Sequence, residues 1–206
     1  VIKGQKTGWF YDHRENRAML RDKVVGKRVL DVYSYIGGWG GQAAVFGASE
    51  VICLDSSEEA LAQVEINAAL NHCEERVSTL KGQASAEMER LAAAGERFDV
   101  VILDPPAFIQ RKRDLGKGRK AYRRINEQAM KLLNDGGLLV SGSCSMHLAE
   151  ADLVHAIQGA ALRNFREARL IARGHQGSDH PIHPAIPETE YLKALYTVVL
   201  PPLSAG

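Results

Sequence analysis

The stretch RVLDVYSYIGGWG, residues 28–40, decides the fold of this chain. Its apolar first half predicts a buried β-strand, and its three glycines predict a turn that leads into a helix. Comparable apolar runs follow at EVICLD (residues 50–55), RFDVVILD (residues 97–104) and LLVSGS (residues 138–143), with helical patterns between them. Strands that are apolar throughout and alternate with helices are typical of a parallel sheet covered on both faces. The sequence therefore predicts an α/β fold.

Weaker patterns complete the predicted sheet and its helices. Further strands are predicted at residues 76–82, 166–172 and 193–200, which gives seven. Helices are predicted at residues 56–72, 84–94 and 149–164. A further helix, through residues 125–133, is predicted to stop at Asp135-Gly136-Gly137. The first 27 residues are predicted to form a short β-element and a helix from Glu15 to Val25 that caps the sheet.

The composition is that of an ordinary globular protein. The chain has 206 residues, of which 45% are hydrophobic and 25% charged, and its formal net charge is +1. No apolar run approaches the roughly 20 residues that a transmembrane helix needs, so we expect no membrane association. The three cysteines, Cys53, Cys73 and Cys144, form no CxxC pair and no zinc pattern. This usage fits a reducing, cytoplasmic setting.

Acids and glycines at the predicted strand ends indicate a nucleoside-bearing cofactor. Ligands of parallel sheets bind beyond the carboxyl ends of the strands, where Asp31 and Asp55 lie. The GxGxxG spacing of dinucleotide-binding proteins is absent, and an acid beside the glycines would repel a pyrophosphate. It would suit S-adenosylmethionine, which carries an ammonium and a sulfonium and no phosphate. Asp55 is placed to accept both ribose hydroxyls.

Two further motifs follow the fourth and fifth predicted strands. DPPAF, from Asp104 to Phe108, is a proline-stiffened loop that can present its acid and its aromatic ring to a planar group. Cys144 follows the next run, in VSGSCSMHL (residues 140–148). Taken alone, Cys144 is either a small hydrophobe that fills a gap or a nucleophile at the mouth of a site.

A basic run follows DPPAF. The segment RKRDLGKGRKAYRR, residues 111–124, holds eight basic residues and one acid. Most charge runs are solvated loops or helix faces. A patch that binds nucleic-acid phosphates needs the same local density, so both interpretations stay open at this point.

Together these motifs resemble the class I S-adenosylmethionine-dependent methyltransferases. The resemblance lies in VLDVYSYIGGWG, VICLDSSEEAL, FDVVILDPPAF and GGLLVSGSCS. GQKTGWFYDHRENR near the start, DPPAF, SCS and DHPIHPAIPETEYLKAL near the end are more closely similar to the large-subunit (23S) ribosomal RNA cytosine-5 methyltransferases. The resemblance covers nearly the whole chain.

The resemblance implies a Rossmann-like, seven-stranded, mostly parallel sheet whose last strand is antiparallel. It implies that residues 1–27 form a short element packed on a catalytic domain at residues 28–206. Members of the family usually carry an N-terminal RNA-binding domain of the PUA type, which nothing in this sequence matches. The implied partner is RNA, namely 23S ribosomal RNA, and the resemblance leaves a homodimer open.

The resemblance also implies covalent catalysis. A thiolate of Cys144 adds to C6 of cytosine, C5 then attacks the methyl group, and a base removes the C5 proton. Asp104 is expected to bind the cytosine edge, by donating to N3 if it is protonated or by accepting from N4. His147 is a candidate for the base, or else a surface helix residue.

The predicted binding residues form two sets. Those expected to hold the cofactor are Asp31, Tyr33, Tyr35, Gly37, Gly38, Asp55, Ser56, Gln83, Asp104 and Pro105. Those expected to bind RNA are Pro106, Phe108, Arg111, Lys112, Arg113, Lys120, Tyr122 and Arg123, with Phe108 and Tyr122 stacking on unpaired bases. Gln83 departs from the family pattern, which tends to show an acid where the adenine amino group is bound; a Gln side chain can still accept from that group.

Two other functions remain compatible with the sequence: methylation of a base amino group, and RNA binding without catalysis. A metal site is not expected. His175, His180 and His183 cluster with Asp179, but their spacing is not a zinc pattern, and we predict a structured loop near the active site.

Overall fold

The computed structural model describes residues 8–109 and 111–202. The strands in these ranges are β1 (Arg28–Val32), β2 (Glu50–Asp55), β3 (Val77–Lys81), β4 (Phe98–Leu103), β5 (Leu133–Ser143), β6 (Glu167–Gly174) and β7 (Lys193–Leu200). The helices are α1 (Arg14–Ala18), α2 (Gly38–Val45), α3 (Glu58–Leu70), α4 (Ala84–Ala93), α5 (Leu115–Lys131) and α6 (Glu150–Arg163). Within these ranges, no helix is long and apolar enough to cross a lipid bilayer.

The strands form one sheet in the order β3-β2-β1-β4-β5-β7-β6. β1 pairs in parallel with both β2 and β4, and β4 pairs in parallel with β5. β7 lies between β5 and β6 and is antiparallel to both. This confirms the predicted seven-stranded sheet with an antiparallel last strand. The strand order reverses at β1, so a ligand crevice is expected beyond the carboxyl ends of β1 and β4.

Alternation along the strands divides the core into two layers. On one face, Leu30, Val101 and Leu139 pack with α4, α5 and α6. On the other face, Val29 and Val100 pack with α2 and α3. Successive side chains of a strand point to opposite faces, so a strand that is covered on both sides is apolar throughout. The continuous apolar runs of the sequence therefore have their physical cause in this two-sided burial.

The predicted helix from Glu15 to Val25 is wrong in its length. α1 ends at Ala18, and the chain continues in tight turns in which the N–H of Leu20 donates to Arg17 and that of Lys23 donates to Leu20. These i→i+3 turns keep Leu20 and Val24 buried in the core. Residues 8–13 form no strand, and residues 1–7, where the rest of the predicted β-element falls, lie outside the described residues.

The junction of α5 and β5 also differs from the prediction. α5 ends at Lys131, and residues 133–143 form β5, so Asp135-Gly136-Gly137 lies in a strand and does not end the helix. Phe98 pairs with Leu133 and Val100 with Leu138, which leaves extra residues of β5 looped out in between. A side chain satisfies carbonyls on both sides of this junction: Arg166 donates to Met130 of α5 and to Leu133 of β5 at 3.0 and 2.8 Å.

The segment around α1 packs against β7 and the loop before it. The hydroxyl of Tyr196 donates to the carbonyl of Asn16 at 2.5 Å, and the hydroxyl of Tyr191 donates to Asp12 at 2.9 Å. The N–H of Gly177 donates to the carbonyl of Asp12. These contacts join chain positions more than 160 residues apart, and they bring the N-terminal segment to the carboxyl edge of the sheet.

Candidate functional site

The loop between β1 and α2 is held in an unusual backbone conformation. Tyr33 and Tyr35 have φ angles of 65° and 50°, in the left-handed region that side chains with a Cβ rarely adopt. Gly37, at 79°, precedes the first residue of α2. The Asp55 carboxylate fixes this loop, because it accepts hydrogen bonds from the N–H groups of Tyr35 (2.9 Å) and Ser57 (3.0 Å). Strained backbone that is held by such contacts is characteristic of functional sites.

Asp31 is a buried carboxyl group with one unsatisfied oxygen. Oδ2 accepts from the N–H of Gly40 at 2.8 Å, whereas Oδ1 has no hydrogen-bond partner among the residues that the structure describes. A Cβ at Gly40 would lie 2.5 Å from the sulfur of Cys53 and 3.1 Å from Oδ2 of Asp31, so only glycine fits there. Burial raises the pKa of Asp31 to about 8, and this is the largest effect on that group.

Asp104 lies at the end of β4 and faces two side chains that the sequence did not point to. Nε1 of Trp39 donates to its carboxylate at 3.2 Å, and Nε2 of His13 lies 3.4 Å from the other oxygen. The rings of His13 and Trp39 pack against each other, with 5.1 Å between their centroids. Asp104 is thus oriented by α2 and by the segment that carries α1.

Arg17 is a buried cation at the same edge. Nη1 donates to the carbonyl of Phe10 at 2.9 Å, and the guanidinium lies 5.1 Å from the ring centroid of Trp9. Nε is buried and has no hydrogen-bond partner within the described part of the chain. Burial lowers the pKa of Arg17, and the charges of Asp104, Asp12 and Asp31 raise it.

Cys144 follows β5 between two serines that are fixed by a tyrosine. The hydroxyl of Ser143 donates to Tyr122 at 2.8 Å, and the hydroxyl oxygens of Tyr122 and Ser145 are 3.0 Å apart. The N–H of Ser145 donates to the Ser143 hydroxyl at 3.2 Å. Cys144 itself is half-buried, unlike the core residues Cys53 and Cys73. The network therefore fixes the backbone on both sides of the one cysteine that is accessible from this edge.

Lys193, the first residue of β7, brings a positive charge to this segment. Its Nζ donates to the carbonyls of Ser145 and Tyr191, both at 3.0 Å. The side chain is almost fully buried. Burial lowers the pKa of Lys193, whereas nearby negative charges, the Cys144 thiolate among them, raise it. That attraction is mutual, so the ammonium stabilises a thiolate at Cys144.

The aromatic residues near DPPAF pack against one another. Phe108 is half-buried, and its ring centroid lies 4.9 Å from Tyr122 and 6.4 Å from Tyr33. Burial raises the pKa of Tyr33 to about 12. The structure contradicts the stacking role expected of Tyr122, because its side chain is fully buried beneath Phe108. Tyr122 instead supports the two serines that flank Cys144.

The predicted basic residues fall into two groups. Arg111, Lys112 and Arg113 are exposed just after the DPPAF loop, although residue 110 between them and the loop is outside the described ranges. Lys120 and Arg123 lie on α5 and, with Arg119, line a shallow pocket of about 260 Å³ against α6. Arg119 pairs with Asp152 of α6 at 2.7 Å. The second group therefore faces α6.

The other predicted residues lie at the same edge of the sheet. Ser56 is exposed after β2, and Gln83 is exposed at the residue that precedes α4. Pro105 is buried and Pro106 is exposed. Gly38 is the first residue of α2.

The histidine cluster contacts its own loop. His180 lies 3.3 Å from Asp179, and Nδ1 of His175 lies 2.8 Å from the carbonyl of Gln176. His183 accepts from the N–H of Ala185. No group of three or more metal-binding side chains is found among residues 8–109 and 111–202. His147 is half-buried, three residues beyond Cys144.

Known proteins resemble this chain over most of its length. The family described as S-adenosylmethionine-dependent methyltransferase matches residues 1–174. A protein of Shewanella frigidimarina named "Ribosomal RNA large subunit methyltransferase I" is 41% identical over 197 residues, which are 95% of this chain and 49% of that protein. The chain thus spans about half the length of the curated relatives it matches.

Solved structures share the fold. A methyltransferase crystallised with SAH superposes with a TM-score of 0.84 at 20% identity, and the match covers 95% of this chain and 51% of that one. A structure from Streptococcus mutans, described as a SAM-dependent methyltransferase, gives the same values.

The site fits S-adenosylmethionine by three observations. Oδ1 of Asp31 is a buried acceptor without a partner, which suits an ammonium. The Asp55 carboxylate is fixed by two backbone N–H groups and keeps further lone pairs for ribose hydroxyls. The missing side chain at Gly40 lets Asp31 approach α2 closely.

Proposed function

We propose that this chain, which belongs to the family of S-adenosylmethionine-dependent methyltransferases, forms 5-methylcytosine in RNA through a covalent adduct of Cys144. One observation carries the proposal. Cys144 and Asp104 follow adjacent strands at the edge that also holds Asp31 and Asp55. This arrangement supports the proposal, because it brings the proposed nucleophile and the proposed base-binding acid to the same edge as the proposed cofactor residues.

The register of β4 and β5 brings Asp104 close to the segment that leads to Cys144. Leu103 pairs with Ser141, so the residues that follow each strand leave the sheet side by side. A Cβ at Gly142 would lie 3.4 Å from Oδ1 of Asp104 and 3.1 Å from the carbonyl of Leu103. Glycine at this position therefore lets the DPPAF loop lie against the segment that leads to Cys144.

The covalent step activates a carbon that is otherwise a poor nucleophile. The thiolate of Cys144 forms a bond to C6 of cytosine, and the C5=C6 electrons move toward N3, which makes C5 nucleophilic. S-adenosylmethionine, when bound, supplies the methyl group, so that C5 gains a bond to carbon as the sulfonium loses one. A base then takes the C5 proton, the C5=C6 bond re-forms, and the C6–S bond breaks to return the thiolate.

The residues around Cys144 and Asp104 support these roles. Lys193 stabilises the negative sulfur before attack and after release. Trp39 and His13 orient the Asp104 carboxyl, which holds the N3–N4 edge of the cytosine. The Tyr122–Ser143–Ser145 network keeps the backbone of Cys144 fixed while the sulfur forms and breaks its bond.

Each proposed cofactor residue binds a different part of S-adenosylmethionine. Asp55 accepts the ribose hydroxyls, Asp31 holds the ammonium, and Gln83 accepts from the adenine amino group. The backbone at Gly37 and Gly38 allows the ligand to lie against the start of α2.

The proposed substrate is large-subunit ribosomal RNA, which is the substrate named for the relatives. Exposed Arg111, Lys112 and Arg113 stand beside the DPPAF loop and would bind phosphates of the strand that presents the base. The target cytosine must be unpaired or flipped out to reach Cys144. We accordingly propose that the enzyme acts in the cytoplasm.

Analysis of the methylated nucleoside tests the proposal. Large-subunit ribosomal RNA transcribed in vitro is incubated with the chain and S-adenosylmethionine carrying a labelled methyl group. The RNA is then digested to nucleosides for mass spectrometry. We expect the label in 5-methylcytidine. Label in a base amino group, such as N4 of cytidine, would replace the proposal with the amino-group alternative, which needs no cysteine.

Calorimetry distinguishes a noncatalytic RNA-binding protein of the same fold. The proposal requires that the chain bind S-adenosylhomocysteine with a Kd below about 1 mM. An absence of binding at millimolar ligand would favour the noncatalytic function.

A further inference from the structure

We infer that Arg17 binds the α-carboxylate of the cofactor's methionyl moiety, so that the N-terminal segment completes the cofactor site. The inference rests on the cofactor of the family and, for the direction of the bound ligand, on the proposed role of Cys144, whereas its test needs neither RNA nor Cys144. Arg17 lies outside the predicted cofactor residues, all of which lie in β1 or after it in the sequence.

The position of the guanidinium is the first observation. A Cβ built on Gly38 would lie 3.6 Å from Nη1 of Arg17 and 3.9 Å from its Cδ. Gly38 is the first residue of α2, whose N–H groups point out of the start of the helix. A helix N-terminus favours negative charge, and a buried guanidinium favours it more strongly. Both therefore favour a carboxylate at this place.

The unsatisfied atoms are the second observation. Arg17 is 4% exposed, and its Nε finds no acceptor in the described ranges. Oδ1 of Asp31 is a buried acceptor that likewise lacks a donor there. Buried polar groups are nearly always paired, and these two have opposite charge. An amino acid group carries an ammonium for Asp31 and a carboxylate for Arg17.

The order of the strands indicates how the cofactor is oriented along the carboxyl edge of the sheet. Asp55 ends β2, where the ribose is proposed to lie, and the methyl group must point toward Cys144 beyond β5. The methionyl group then lies over β1 and β4 between them. Arg17 lies close to Asp31 of β1 and to Asp104 after β4, as their effects on its pKa show.

The acidic residues around Arg17 do not prevent it from binding the α-carboxylate of the cofactor. Asp31, the deepest of them, has a pKa of about 8 because of its burial, so in the ligand-free protein it holds a proton at neutral pH. When the ammonium binds, Asp31 ionises against it, and the two new ion pairs balance each other.

The test compares two ligands by calorimetry: S-adenosylhomocysteine and its decarboxylated analogue, which keeps the ammonium. We expect the wild-type chain to bind the carboxylate-bearing ligand about 10 to 100 times more tightly, the range for a hydrogen-bonded ion pair. Arg17→Ala is expected to remove that preference, by weakening the first ligand about 10-fold or more and the second less than about 3-fold. Arg17→Lys, which keeps the charge, should retain part of the preference.

Arg14→Ala is the matched control. Arg14 lies on the same short helix, is exposed and pairs with Asp179 at 3.6 Å. The Arg14→Ala variant should bind both ligands as tightly as wild type does. Equal weakening of both ligands in Arg17→Ala would show a structural role for Arg17 and overturn the inference. If that variant does not fold, equal binding of the two ligands by the wild-type chain would overturn it instead.

Discussion

The two sides of the carboxyl edge differ in how their polar groups are satisfied. On the cofactor side, residues 31–40 and 55–57, Asp31 keeps one buried oxygen without a partner in the described chain. On the cysteine side, residues 104–108 and 143–147, the hydroxyls of Ser143 and Ser145 are bonded to Tyr122. We propose that the cofactor side gains its last contacts from a ligand, whereas the serines of the cysteine side are fixed by the protein.

This difference matches the two tasks that a methyltransferase of this type has. A cofactor that is exchanged in every cycle must supply and then give up its own contacts. A nucleophile must hold one geometry throughout, since positioning contributes much of the rate in covalent catalysis. The comparison predicts that changes on the cofactor side alter binding, and that changes on the cysteine side alter the rate.

Cys144→Ala should have the largest effect. We expect at least an about 1000-fold loss of methyl transfer, because the adduct cannot form. Binding of S-adenosylhomocysteine, measured by calorimetry, should stay within about twofold of wild type. Cys73→Ala is the matched control, since Cys73 is buried just after α3 and its replacement should leave the reaction unchanged. Methylation by Cys144→Ala at the normal rate would exclude the covalent mechanism.

Lys193→Met should reduce the rate about 10 to 100-fold, in line with the loss of a hydrogen-bonded charge. The rising limb of the pH profile of kcat/KM should move to higher pH, because the thiolate loses a positive charge that attracts it. Lys193→Arg should restore much of the profile, and Lys131→Met, an exposed replacement at the end of α5, should change neither quantity. A lower rate with an unmoved profile would assign Lys193 a purely structural role.

Asp31→Asn should remove a pH dependence of cofactor binding. In the folded chain the pKa of Asp31 is about 8 in place of 3.8, so the folded state keeps a proton that the unfolded state loses between these values. Because the ammonium binds the ionised form, affinity for S-adenosylhomocysteine should rise with pH up to about 8, by at most about tenfold per unit.

The same shift affects stability. The free energy of unfolding that Asp31 contributes falls as the pH rises from about 4 to about 8, since the folded state binds more protons there. Asp31→Asn should therefore gain stability relative to wild type over this interval, measured by urea denaturation at several pH values. The prediction would be contradicted if the difference in free energy of unfolding between wild type and Asp31→Asn were the same at every pH, and if both proteins bound the cofactor with the same pH dependence. Asp31 would then already be ionised in the ligand-free protein at neutral pH.

Tyr122→Phe should have the smallest effect. It removes the hydroxyl that accepts from Ser143 and contacts Ser145, at a cost of about 1–3 kcal/mol for buried groups that lose a partner. Urea denaturation should show this loss, and the rate should fall only severalfold. Tyr11→Phe, at an exposed position, serves as the control. Unchanged stability of Tyr122→Phe would mean that the network does not fix Cys144.

The fold could be predicted because its cause is local in the sequence. Two-sided burial makes each strand apolar throughout, and the acids and glycines that follow the strands fall at one edge in any sheet of this order. The positions of Asp31, Asp55, Asp104 and Cys144 at the carboxyl edge followed from this pattern alone.

The side chains that surround these residues could not be predicted in the same way. His13 meets Asp104 across 91 positions of the chain, and Lys193 donates to Ser145 across 48. No local periodicity in the sequence predicts that such distant residues contact each other. The stacking role predicted for Tyr122 was wrong for a related reason. Packing against β5 decides which face of the helix turns inward, and the basic residues around Tyr122 in the sequence do not. The predicted length of α1 was wrong because the burial of Leu20 and Val24 is equally compatible with a helix and with successive tight turns.

The covalent adduct tests the central claim most directly. The chain is incubated with S-adenosylmethionine and ribosomal RNA that contains 5-fluorocytidine, whose C5 fluorine cannot be removed as a proton, so the adduct cannot resolve. Peptide mapping by mass spectrometry then locates the nucleotide. We predict a methylated 5-fluorocytidine attached to Cys144. Methylation of normal RNA without any such adduct, or an adduct mapped to Cys53 or Cys73, would contradict the account.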